Sequence, residues 1–262
     1  MNNYESGHAE DIAGLDSGVV GSVDNQESQY DTTSAGYRKI VDEDKMIGVQ
    51  QRRASELLGD VSGKMVLDVG CGEGKFLRGL AEGGAKCVGY DISASQIEAA
   101  RAREQLDPQG ITYIQSDSKS FAFPAEFDLA SSTLVLLHAH GREELQGFFQ
   151  STFNALKDGG KFVSITYNPE YKQLDQIKYD RRFSKVENNE IKVDFFKHGA
   201  QEPFTTAMFT DLSKEDYEQA ALNAGFKSFE WVPMQIHGDQ NDKFWDGFLE
   251  DCPYIGFVAY KN

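Results

Sequence analysis

Val66-Leu67-Asp68-Val69-Gly70-Cys71-Gly72-Glu73-Gly74 sets a short apolar run directly against a glycine-rich turn. An apolar run of that length, bounded by glycines, reads as a buried strand. Gly70, Gly72 and Gly74 let a ligand come close to the backbone, because no Cβ stands in the way. Residues 76–82 read as a helix and 87–90 as a second strand, which ends at Asp91, 21 positions after Gly70. A carboxylate at that point can accept hydrogen bonds from both hydroxyls of a ribose. Beyond a third strand at 111–115, Ser116-Asp117-Ser118 offers an acceptor for the amino group of an adenine.

The alternation continues outward. Residues 96–105 read as a helix and 127–131 as a strand. Leu145, Phe148, Phe149, Thr152, Phe153 and Leu156 fall at helical spacing, and Lys157-Asp158-Gly159-Gly160 closes that helix before a strand at 161–167. Strands and helices in this order imply right-handed βαβ units and a parallel sheet. The expected fold is α/β: a Rossmann-like, mostly parallel seven-stranded sheet with helices on both faces and an antiparallel hairpin insertion. That hairpin is placed at 191–196 and 204–209, around Gly199. Ser213-Lys214-Glu215-Asp216 resembles a capping box. Tyr217, Ala220, Ala221 and Ala224 share the helical face that follows, and Gly225 stops it; 226–233 and 254–260 read as closing strands.

Upstream, residues 37–58 suit one or two amphipathic helices. Residues 1–29 carry Glu5, Glu10, Asp11, Asp16, Asp24 and Glu27 and no Lys or Arg, which reads as an acidic disordered tail. The expected organisation is that tail followed by one domain over 30–262, with a helical lid at 30–60 and a substrate-covering insertion at 168–212.

Composition narrows the function. Asp and Glu number 42 against 26 Lys and Arg, a net charge of −16. Such a chain repels a polyanion, and only the short pairs Arg52-Arg53 and Arg181-Arg182 run the other way, so nucleic acid is not the expected partner. No stretch of 18 apolar residues exists and the first ten residues lack a signal-peptide pattern, so no membrane partner and a cytoplasmic location are expected. Cys71, Cys87 and Cys252 make no disulfide framework, and five scattered histidines make no metal site. Oligomeric state stays open.

Two competing readings apply to the central motif. Asp91 could simply cap the helix that begins near Ser93. A nicotinamide-dependent oxidoreductase would also use a glycine turn, but its fingerprint wants Gly or Ala five residues after the first glycine, where this chain has Lys75.

Val66–Gly74 resembles the first motif of the class I S-adenosylmethionine (SAM)-dependent methyltransferases, and Gly89-Tyr90-Asp91-Ile92-Ser93 resembles the next. Residues 114–118, 127–139 and 156–163 are similar to the adenine-binding, fourth-strand and Gly-Gly segments of that superfamily. Tyr30-Asp31, Tyr37-Arg38, Tyr167-Asn168-Pro169, Ala224-Gly225-Phe226 and Pro253-Tyr254-Ile255-Gly256-Phe257 are similar to small-molecule methyltransferases of the toxoflavin-synthesis N-methyltransferase type. The resemblance implies SAM as cofactor and S-adenosylhomocysteine as product. It implies that Gly70, Cys71 and Gly72 face the methionine moiety, that Asp91 binds the ribose and that Ile92 packs on the adenine. Asp117 and Ser118 would hold the adenine edge and the Ser132 backbone would approach the sulfonium. Asp68 and Gln96 complete the cofactor set, and Tyr37 either closes over it or packs a helix face.

The implied reaction is methyl transfer to nitrogen or oxygen of a small-molecule acceptor. A protein methyltransferase and a SAM-binding protein without transfer are the alternatives. His138, just past the fourth strand, is the candidate general base, against a structural role in the following turn. Tyr167, Asn168, His198, Phe204 and Trp231 are the candidate acceptor-lining residues, against a role in the core.

Overall fold

The computed structural model describes residues 44–117, 123–236 and 242–262. Five strands run parallel: β1 (Met65–Val69), β2 (Lys86–Asp91), β3 (Thr112–Gln115), β4 (Phe127–Thr133) and β5 (Leu156–Tyr167). Two more close the sheet. β10 (Tyr254–Tyr260) is antiparallel to β5, and β9 (Ser228–Pro233) is antiparallel to β10. The order β3-β2-β1-β4-β5-β10-β9 reverses direction between β1 and β4. Sheets of this kind bind ligands in the crevice beyond the carboxyl ends of the strands at that switch. We call this side the ligand edge.

Side chains alternate across each strand, so the sheet has two distinct faces. Val66 and Leu129 point to a face covered by α1 (Lys45–Leu58), α2 (Lys75–Glu82) and α3 (Ala94–Leu106). Leu67, Val69 and Ala130 point to the other, covered by α4 (Arg142–Ala155) and α5 (Lys214–Ala224). The second face is strongly aromatic: Phe149 stacks on Phe257 at 5.5 Å and meets Phe162 edge-on at 5.6 Å. Burying each such ring contributes about 1.5–3 kcal/mol.

The local signals set the helix ends. The Ser213 hydroxyl accepts from the Asp216 N–H while the Asp216 carboxylate accepts from the Ser213 N–H, a complete capping box, and Gly225 ends α5 in the left-handed region. Asp44 caps α1 through the Met46 N–H at 2.8 Å. α4, by contrast, stops at Ala155, and β5 already begins at Leu156 and runs through Gly159-Gly160.

The expected hairpin is present, and a further strand before it extends the insertion to a three-stranded antiparallel sheet. Its strands are β6 (Arg181–Val186), β7 (Glu190–Phe195) and β8 (Thr205–Thr210), in that order. β6 escapes a hydrophobicity reading because Phe183 and Val186 are its only apolar residues. Its polar positions are paid for by pairing: Arg182 binds Asp194 on β7 at 2.6 Å. Asn188 and Asn189 turn the chain into β7 with φ of +63° and +59°, which asparagine tolerates better than most side chains.

Residues 44–60 of the expected helical lid form α1 and its exit. The remainder of that lid and the acidic segment 1–29 lie outside the described residues. No helix among the described residues is long and apolar enough to cross a membrane.

Candidate active site

The glycine turn leaves β1 at the switch point. Gly70 has φ of +71°, and a Cβ there would stand 2.3 Å from Cγ2 of Val135, so neither the backbone nor the space admits a side chain. The N–H groups of Gly70 and Cys71 both donate to the Tyr90 carbonyl, at 2.8 and 3.0 Å, which pins the turn against the end of β2. Over Gly72, by contrast, an added Cβ would meet only Oε1 of Gln96, at 3.7 Å.

Asp91 reaches from the end of β2 across this turn. Its Oδ2 accepts from the Gly72 N–H and its Oδ1 from the Ser93 N–H, both at 2.9 Å. The cap of α3 is Ser93, whose hydroxyl accepts from the Gln96 N–H at 3.3 Å. Asp91 therefore braces the turn before that helix, and a carboxylate oxygen can accept more than one hydrogen bond. The Ser116 N–H donates to the Asp91 carbonyl at 3.0 Å, which brings the exit of β3, with Asp117, alongside.

Asp68, Gly70, Cys71, Gly72, Asp91, Ile92, Gln96 and Asp117 are thus gathered at one edge, over the ends of β1, β2 and β3. Tyr37 and Ser118 lie outside the described residues. Asp68 is buried and accepts from the Ser131 hydroxyl at 2.6 Å. Burial pushes its carboxyl up to about 7; the Ser131 bond works against that rise and the Asp91 charge adds to it. Burial likewise drives the Cys71 thiol well above its usual value, so it is no nucleophile at neutral pH. Ser132, next on β4, is buried on the α4–α5 face.

The acceptor side is built by the insertion. β8 packs on the short 3-10 turn Leu136–His138 that follows β4, so the small sheet overhangs the ligand edge. Tyr167 at the end of β5 is buried against Phe183 of β6 and Phe209 of β8, with ring centroids 5.2 and 5.1 Å away. His138 is half-buried in the 3-10 turn, and burial, with the neighbouring His140, pushes its imidazole down to about 4. It is uncharged at neutral pH.

The remaining lining candidates are dispersed. Phe204 is half-buried at the start of β8, 6.4 Å from Phe195. The Asn168 side chain donates to the Cys252 carbonyl at 3.0 Å and accepts from the Glu170 N–H, a brace between β5 and the entry to β10. His198 stands in solvent beside Asp180, at 3.2 Å. Trp231 lies on the α5 face, where its indole donates to Glu218 at 2.7 Å and its ring meets Tyr217 and Phe257. An odd–even shift along β10 puts Phe257 on the opposite face from Tyr254, and Trp231 follows Phe257.

Sequence reasoning missed the residue that fastens the insertion. Arg181 is 3% exposed; it binds the Asp44 carboxylate at 2.6 Å and the Tyr179 carbonyl at 3.0 Å. The signal was the Arg181-Arg182 pair itself, read as surface charge.

Comparison with known proteins agrees with this geometry. Residues 66–160 match the family described as "Methyltransferase domain". A probable 18S rRNA (guanine-N(7))-methyltransferase of Dictyostelium discoideum is 31% identical over 155 residues, covering 53% of this chain and 53% of that protein. The mitochondrial ubiquinone biosynthesis O-methyltransferase of Schizosaccharomyces pombe is 32% identical over 108 residues, 40% of this chain and 38% of that protein. The chain thus spans about half, or less, of the length of these curated relatives. An S-adenosylmethionine-dependent methyltransferase from Clostridium acetobutylicum superposes with a TM-score of 0.64 at 15% identity, over 89% of this chain and 99% of that one. Residues 66–160 are thus similar to the methyltransferase-domain family, and the described chain shares its fold with solved S-adenosylmethionine-dependent methyltransferases.

Proposed function

We propose that this protein transfers the methyl group of SAM to a nitrogen or oxygen of a small-molecule acceptor held beneath the three-stranded sheet. The observation that carries this reading is the shared edge: the Asp91-braced glycine turn and the overhanging insertion meet at one switch point. The residues present fit the cofactor. Gly72 leaves room for close approach, and Asp91 supplies both a carboxylate acceptor for ribose hydroxyls and the negative potential a cation needs. Bound there, SAM supplies a methyl group on a positively charged sulfur that departs as neutral S-adenosylhomocysteine.

The chain's own residues then have three tasks. The turn and Asp91 fix the cofactor's position, because an in-line displacement depends chiefly on alignment. The aromatic wall of Tyr167, Phe183 and Phe209 excludes water from the acceptor. His138, uncharged at neutral pH, can accept a proton where the acceptor must lose one, although its low pKa makes it a weak base.

The rRNA methyltransferase relative supports a second reading, a guanine nitrogen in RNA as acceptor. The net charge of −16 weighs against it. Incubating the full chain with SAM labelled in the methyl group decides, using separate pools of small metabolites, RNA and protein. Label in the metabolite pool is the expected result. Label confined to RNA or to protein would replace the proposed acceptor class, and the absence of label in every pool would favour a SAM-binding protein without transfer.

A further inference from the structure

Among the described residues, Nε2 of Gln50, Oε1 of Gln109, Oγ1 of Thr133, Nε of Arg181, the hydroxyls of Ser132 and Ser164 and that of Tyr113 are buried with no hydrogen-bond partner. The amide nitrogen of Gln109 binds Glu82, and the other two guanidinium nitrogens of Arg181 bind Asp44 and the Tyr179 carbonyl. A buried orphan is costly enough that each one calls for a reason. Ser132 and Ser164 are register partners on β4 and β5, so rotation of the side chains brings one hydroxyl toward the other. The Tyr113 hydroxyl abuts the glycine turn, 2.2 Å from where a Gly74 Cβ would stand. Gln50 and Thr133 have no such local account.

Both lie on the α1–α3 face at the ligand edge. The two ends of α1 fix its direction. The Leu57 carbonyl receives the Lys161 ammonium at 2.7 Å from the early part of β5, and Asp44 binds Arg181 of the insertion. The N-terminal half of α1 therefore overlies the carboxyl ends of β4 and β5. Gln50, only 1% exposed, belongs to its buried face with Met46, Val49 and Arg53. Thr133 ends β4 on the same face as Ser131, and its register partner Ile165 lies two residues before Tyr167 of the aromatic wall. The next residue, Leu134, is held at φ of +59°, with its N–H on the Ile165 carbonyl at 2.8 Å. A bulky side chain in that region is strained, and such strain gathers at ligand sites.

We propose that Gln50 and Thr133 form the polar end of the acceptor subsite, and that they take a planar, uncharged ring bearing an oxygen hydrogen-bond acceptor. This deepens, and rests on, the methyltransferase reading above. An amide N–H donates, a threonine hydroxyl donates or accepts, and neither carries charge. The buried cations of this face are already committed: Arg53 binds Glu56 at 3.2 Å and Arg181 binds Asp44. A carboxylate on the acceptor would have to compete with Glu56 and Asp44 for those cations, whereas the rings of Tyr167, Phe183 and Phe209 suit a flat neutral one.

The test uses the full chain with Gln50→Leu and Thr133→Val, singly and together, which remove the polar atoms and keep the volume. Three readouts are taken: the melting temperature of the free protein, its affinity for S-adenosylhomocysteine, and the binding of benzamide and of benzoate to the S-adenosylhomocysteine-loaded protein. Relief of the orphans should raise the melting temperature of the double variant by about 2–4 °C. Affinity for S-adenosylhomocysteine should stay within about threefold, while benzamide binding weakens by about tenfold or more. Wild type should prefer benzamide to benzoate. An unchanged or lowered melting temperature would mean that these groups are satisfied by the fold, and would overturn the proposal. So would a parallel loss of S-adenosylhomocysteine affinity, a preference for benzoate, or no benzamide binding to the loaded wild type. If wild type fails to bind S-adenosylhomocysteine at all, the methyltransferase reading falls and takes the subsite with it.

Discussion

The two sheets of this protein are held by opposite means. The seven-stranded sheet rests on packing: both faces are apolar, and its glycine turn is fixed by backbone hydrogen bonds and by contacts such as Val135 against Gly70. The three-stranded insertion rests much more on charge. Arg182, Lys192 and Thr206 converge on one buried carboxylate, Asp194, and Arg181 fastens the insertion to α1 through Asp44. A packed scaffold can keep a cofactor edge rigid, and an ion-pinned roof can change with its acceptor.

The largest expected effect tests the pin. Arg181→Ala leaves Asp44 without its partner at the helix cap, and urea unfolding should show a loss of about 3–5 kcal/mol. SAM affinity should change by no more than about threefold, because the cofactor edge shares none of these bonds. A loss below about 1 kcal/mol would show that the insertion is held by its aromatic contacts instead.

The glycines sharpen the same contrast. Gly70→Ala meets both a positive φ and the Val135 methyls, and should cost about 2–4 kcal/mol. Gly199→Ala in the insertion has φ of +76° but no atom within 4 Å of the new Cβ, so about 1 kcal/mol is expected. Equal costs in chemical denaturation would mean that the turn is no tighter than the insertion loop.

This difference also explains what was legible in the sequence. The order of strands, the capping box at Ser213 and the stop at Gly225 follow from apolar period and turn chemistry, which depend on neighbours in the chain. So does the gathering of Gly70, Gly72, Asp91 and Asp117 at one edge. The strand β6 was not legible, because Arg181 and Arg182 look like surface charges until Asp44 and Asp194, distant in sequence, neutralise them. Trp231 was grouped with Phe204 on aromatic character alone, and only the register of β9 on β10 puts it under α5. The brace made by Asn168 is equally invisible in the sequence, because its partner is the Cys252 carbonyl, 84 positions away.

The smallest expected effect is a cancellation at the boundary of the two regions. The folded pKa of His138 lies below its unfolded value near 6.5, so the folded state loses stability as pH falls from about 6.5 toward 4. Asp68 has the opposite sign. Its folded pKa of about 7 exceeds the unfolded value near 3.8, so stability is full below that value and declines as pH rises toward 7. Between pH 4 and 6.5 the two slopes, each up to about 1.4 kcal/mol per pH unit, oppose one another. Relative to wild type, His138→Gln should therefore make stability fall more steeply with rising pH across this window, and Asp68→Asn should make it rise. If both variants keep the wild-type profile by urea titration, neither group is perturbed by burial.

The central claim is that the Asp91-braced glycine turn is the seat of SAM, and calorimetric titration of SAM into wild type and Asp91→Ala tests it most directly. Wild type should bind at a single site, and the folded variant, checked by circular dichroism, should lose about ten- to a hundredfold in affinity. That is the loss expected when a charged acceptor of about 1.5–3 kcal/mol is withdrawn. No heat of SAM binding in wild type, or equal affinity in the folded Asp91→Ala protein, would contradict the account.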